Sequence, residues 1–145
     1  MKRALFAAGL LLSTSAFATD VQHEAAVTAS VAQQIRADHS GDYSDLTSPQ
    51  TAVSLAWGDL IAFAGTQYPD VASTKAFGLH IDGVPREDCA PFVSAVASNF
   101  SDVWIASAAP TAIGGSVYVH GHLDRHLLEK ACHADEVLGM DLITH

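Results

Sequence analysis

Apolar and polar positions are most regular between Phe77 and Ile105. Phe77, Leu79 and Ile81 alternate with Gly78, His80 and Asp82, the period-two pattern of a strand with one buried face. Gly83 breaks that alternation, and Pro85 suits the first turn of a helix, where its missing N–H costs nothing. Glu87 and Asp88 then complement the helix dipole. Cys89, Phe92, Val93, Val96 and Phe100 follow at i, i+3, i+4, i+7 and i+11, one apolar helical stripe with a cysteine on it. Val103 to Ala106 is a second short strand. The stretch therefore predicts strand, helix, strand.

The flanking segments are less regular. Residues 19–38 read as a helix in which Thr19 and Gln22 form a capping box and Val27, Val31 and Ile35 make a thin apolar stripe. Ser48-Pro49 signals a helix start, Ala52, Val53, Leu55, Ala56 and Trp57 continue it, and Gly58 stops it. Leu60 to Phe63 fits a strand or a turn, and Tyr68-Pro69-Asp70 is a turn, so residues 43–75 are expected to be a packed connection. Ala108 to Gly115 reads as a loop. Ser116 to His120, with Val117 and Val119 on one face and Tyr118 and His120 on the other, is expected to pair antiparallel with Val103–Ala106. Leu123 to His133 is a helix capped by Asp124, with Leu123 stapled to Leu128, and its later turns end at Cys132. Val137 to Ile143 closes the chain as a strand with Leu138, Met140 and Leu142 on one face.

The start of the chain carries a different signal. Lys2 and Arg3, then apolar Ala4–Leu12, then Ala16-Phe17-Ala18 are a basic region, an apolar region and an A-x-A site, so residues 1–18 are expected to be a secretory signal peptide. Residues 19–145 are expected to form one domain. Removing Lys2 and Arg3 leaves five basic residues against the 16 acidic ones, a formal charge of −11. That balance speaks against nucleic acid or anionic lipid as a partner. Apolar residues make up 49% of the sequence and are periodic, which speaks against disorder. In an oxidising compartment the two cysteines, Cys89 and Cys132, are expected to pair and pin the two helices together over the sheet. Such a bridge closes a loop of about 43 residues, worth roughly 4 kcal/mol in the chain-entropy model. The absence of C-x-x-C gives no support to a redox enzyme of that type.

This layout resembles the globular domain of type IV pilins, in particular the type IVb class. Gly83–Cys89 (GVPREDC) with the helix after it is similar to the family's cysteine-bearing helix behind the first strand. Leu127–His133 (LLEKACH) is similar to its second cysteine on a short helix, Val137–Thr144 (VLGMDLIT) to its last strand, and Gly41–Ala52 to the loop after its long helix. The resemblance implies an α+β, pilin-like fold: an N-terminal helix packed on a twisted antiparallel sheet, two further short helices and one disulfide. A pilin subunit also carries a prepilin leader and a long apolar N-terminal helix. Here an ordinary signal peptide fills that position, and the helix from Thr19 is polar. The resemblance therefore implies an exported pilin-like protein, periplasmic or extracellular, with no membrane span after signal cleavage. It also implies no filament assembly by the usual route. Pilins or pilus-assembly and secretion proteins are the expected partners.

Candidate chemistry is sparse. Trp104 lies opposite Val103 and Ile105 in the strand alternation and, with Tyr118, is the candidate partner contact. His120, His122 and His126 lie within seven residues, spaced so that imidazoles could meet a zinc ion, and their protonation would reduce the negative charge. That spacing matches no specified zinc motif, and solvated histidines on an acidic surface are the simpler reading, so no metal or other cofactor is expected. No nucleophile elbow, phosphate loop, H-E-x-x-H or dinucleotide fingerprint occurs, so no enzyme is expected. Two function classes remain: a non-catalytic protein of a type IV pilus or related secretion system (minor or adaptor subunit, adhesin or colonisation factor), and a metal-binding or pH-responsive exported protein.

Overall fold

The structure, a computed structural model, describes residues 19–46, 50–67, 73–107 and 114–144. The expected signal peptide, Ser48-Pro49, the Tyr68-Pro69-Asp70 turn and most of the 108–115 loop lie outside the described residues. Three helices, α1 (Val21–His39), α2 (Arg86–Val96) and α3 (Arg125–Cys132), accompany eight strands. These are β1 (Gln50–Leu55), β2 (Gly58–Ala64), β3 (Phe77–Pro85), β4 (Asp102–Ser107), β5 (Gly115–Ser116), β6 (Tyr118–Val119), β7 (His122–Leu123) and β8 (Val137–Thr144). Six strands form one antiparallel sheet in the order β1-β2-β3-β8-β4-β5, and β6-β7 is a separate hairpin. The fold is α+β, as expected.

The core lies between the helices and one face of the sheet. Phe77, Leu79 and Ile81 of β3, Val103 and Ile105 of β4, and Leu138, Met140 and Leu142 of β8 face inward and are buried. They meet Cys89, Phe92, Val93 and Val96 of α2, four members of the stripe expected from periodicity; the fifth, Phe100, is buried but lies beyond the end of the helix in extended backbone. The Cys89–Cys132 disulfide joins α2 to the end of α3. Asp124 caps α3 by accepting from the Leu127 amide at 2.9 Å.

Five expectations need correction. The helix expected from Ser48 to Gly58 is absent: residues 50–64 form a β-hairpin, with Leu55 opposite Gly58 across a two-residue turn. Leu60, Ala62 and Ala64 turn inward while Ile61 and Phe63 turn outward, and apolar residues on both faces hide the strand period. Gly83 does not end β3. Its φ of +84° makes a bulge after Ile81, and the strand runs on to Pro85. A Cβ at Gly83 would sit 2.8 Å from the Trp57 carbonyl oxygen, so the bulge and the β1–β2 turn fit only around glycine. The cap of α1 is Asp20, not Thr19: its carboxylate accepts from the His23 amide at 3.1 Å. The expected long pair between Val103–Ala106 and Ser116–His120 reduces to Trp104 and Ile105 against Ser116 and Gly115. Ser116 causes the break, because its Oγ accepts from the Tyr118 amide at 3.0 Å and turns the chain. Val117 is consequently buried and Val119 exposed, instead of sharing a face.

The inward side of α1 is also finer than its sequence stripe. Ala25, Thr28 and Ala32 are buried, and Val27, Val31 and Ile35 flank them half-buried. Small residues let the helix lie close to α2 and the sheet. No helix among the described residues is long and apolar enough to cross a membrane.

Candidate functional site

The face of the sheet away from the helices carries the polar chemistry. Register places Ile61, His80, Asp141, Trp104 and Ser116 side by side across β2, β3, β8, β4 and β5. His80 Nδ1 lies 2.7 Å from Asp141 Oδ1, and its Nε2 lies 3.0 Å from Asp82 Oδ2. The hydrogen bond to Asp141 raises the imidazole pKa to about 9, burial opposes this, and Asp82 adds to the rise. With a carboxylate at each ring nitrogen, the imidazolium has no lone pair to act as a base. The arrangement is an ion cluster of one imidazolium and two carboxylates. Gly139 makes room for it, since a Cβ there would meet Asp82 Oδ1 at 2.7 Å.

Beside this cluster, Asp102 holds three donors. Its Oδ1 accepts from the Val103 amide at 2.8 Å and the Ser116 hydroxyl at 2.5 Å, and its Oδ2 from the Trp104 indole N–H at 2.8 Å. The indole is thereby tied to a carboxylate two residues back on the same strand face. Tyr118 donates its hydroxyl hydrogen to the Ala97 carbonyl at 2.7 Å. Burial, then the charge of Asp102, raise its pKa. Trp104 and Tyr118, both half-buried, are therefore linked through Asp102 and Ser116. Asp102 was not singled out from sequence. Its i, i+2 spacing from Trp104 was the available signal.

The histidine trio is not brought into one site. His120 (φ +51°) and Gly121 (φ +79°) form the turn of the β6–β7 hairpin. His122 lines a cleft with Tyr118 and Phe100, whereas His126 lines a separate depression on α3 with Glu129, Lys130 and His133. Among the described residues no group of three or more His, Cys, Asp or Glu is placed to hold a metal ion.

A polar helix laid on a twisted antiparallel sheet, closed by a disulfide between two further short helices, defines a type IV pilin-like fold. Among solved structures the chain is similar to TcpA, a type IV pilin from Vibrio cholerae El Tor biotype. The TM-score is 0.60 and the identity 14%, over 88% of this chain and 100% of that one. At that identity the likeness is one of fold. No protein-family model and no curated protein matches the sequence.

Proposed function

We propose that this is an exported, non-catalytic pilin-like protein of the type IVb class that works with a type IV pilus or a related secretion system. The observation that carries the reading is the likeness in fold to a type IV pilin over the whole of its solved chain. Its polar α1 supports an accessory role, as an adaptor on the filament or a secreted colonisation factor. The row containing Trp104, with Tyr118 beside it, is the first surface to test as the partner contact. The signal-peptide pattern of residues 1–18 supports export to the periplasm or beyond.

The test is fractionation of the producing cells into cytoplasm, periplasm, culture supernatant and sheared filaments. Co-sedimentation with filaments, weakened by Trp104→Ala, is the expected result for a filament-associated protein. Free protein in the supernatant supports the secreted factor instead. Retention in the cytoplasm would overturn the reading.

A further inference from the structure

The edge of the sheet nearest α1 is open. β1 pairs with β2 on one side and has no sheet neighbour on the other among the described residues. Natural edges are blunted by charges, proline or bulges; Gln50-Thr51-Ala52-Val53-Ser54-Leu55 carries no charge and no proline, and its one irregularity is the bulge between Thr51 and Val53. Between β1 and α1 runs a groove of about 270 Å³ with an apolar floor of Val31, Ile35, Leu46 and Ala62. Asp38 and His39 stand at the end of α1 in this groove. Asp45 pairs with His39 at 2.9 Å, and Asp42, whose amide donates to the His39 carbonyl, faces Lys75 at 3.6 Å, so three carboxylates stand beside this end of the groove against Lys75 and His39.

We propose that β1 is a docking strand for a short extended segment of a partner protein, one with alternating apolar side chains and flanking Lys or Arg. An open strand edge asks for backbone amides and carbonyls in register, which only an extended chain supplies. Alternate side chains of that strand enter the groove over Val31 and Ile35, and cationic flanks meet the acidic rim. One feature disfavours a second copy of this chain as occupant: a symmetric pairing would bring the carboxylates beside the two grooves together. The proposal is carried by the edge and its groove and is independent of the pilus reading.

The probe is a fluorescein-labelled nine-residue peptide of alternating valine and threonine with lysine at both ends, titrated against the full exported chain by anisotropy. A second probe carries proline at its centre. Expected are saturable binding of the first, at least about tenfold weaker binding of the second, and a similar loss in Ala52→Lys, which blocks an exposed position of the edge. Amide exchange should slow in residues 50–55 on binding, and salt should weaken the complex. No binding, or equal binding by both probes or by both protein forms, overturns the proposal. A concentration-dependent dimer abolished by Ala52→Lys would assign the edge to a second copy and overturn it equally.

Discussion

His80 shows how one residue links register to pH behaviour. Strand pairing sets it opposite Asp141, the β3 bulge leaves Asp82 on its other side, and the ring is held protonated up to about pH 9. The folded pKa lies above the unfolded value near 6.5, so this contribution is complete below pH 6.5 and is lost as pH rises through about 9. Asp82 is largely exposed, which screens its share, and on the order of 1–2 kcal/mol is expected. Thermal denaturation at pH 6 and pH 9.5 checks this: wild type should lose that much more stability across the range than His80→Gln. Equal losses would remove His80 as the cause. Sequence showed the His80–Asp82 alternation but not Asp141, because 61 residues separate His80 from that partner and only sheet order joins them. Trp104 was legible as an outward residue for the opposite reason, since its neighbours Val103 and Ile105 define the inner face locally.

Between elements, one cross-link ties α1 to the sheet and another joins α2 to α3. Arg36 of α1 donates to the Asn99 carbonyl and to Thr144 Oγ1, the latter at 2.7 Å, and its guanidinium lies 5.9 Å from the Phe77 ring centre. It thus fixes the end of α1 to the last residues of β8. Arg36→Met keeps an apolar stem but removes the guanidinium's two hydrogen bonds and its contact with Phe77, and a cost of about 2 kcal/mol is expected in urea denaturation. A change within 0.5 kcal/mol would mean that water replaces the guanidinium. The Cys89–Cys132 bridge spans 43 residues of sequence. Replacing both cysteines by alanine should cost roughly 2–4 kcal/mol, read as a lower Tm of the oxidised protein's variant. Unchanged melting would show that packing alone holds α3. Both cysteines were legible because each falls on a helical stripe. The β1–β2 hairpin was not: its turn, Ala56-Trp57, lacks the usual glycine or asparagine, and Ala52, Val53, Leu55 and Ala56 mimic a helical face. The turn is instead held from outside. Glu24 of α1 accepts from the Ala56 amide at 3.1 Å, Asp88 of α2 accepts from the Trp57 indole at 3.1 Å, and Trp57 packs edge-on against Phe92. Tertiary contacts, which no local window contains, override the local preference.

At the scale of the whole molecule, chain order and sheet order disagree. β8 follows the other described strands in sequence, yet it lies between β3 and β4 and is paired along most of its length on both sides. Its inward residues Leu138, Met140 and Leu142 are fully buried among residues from β3, β4 and α2. Without β8, the hairpin and β3 have no bond to β4, and the inner face of β3 loses its neighbour. The sheet therefore cannot close before β8 docks between β3 and β4, and this long-range pairing predicts slower folding than that of a helical bundle. Ending the chain at Glu136 should abolish the cooperative thermal transition and leave the product open to protease. A single substitution at the centre of the same layer, Val96→Asp, should act in the same direction by placing an unpaired charge at a fully buried position of α2. If the shortened chain still melts cooperatively with protected amides in β3, then β1, β2, β3 and α2 fold without the centre of the sheet. Docking of β8 would then not be the step that closes the fold.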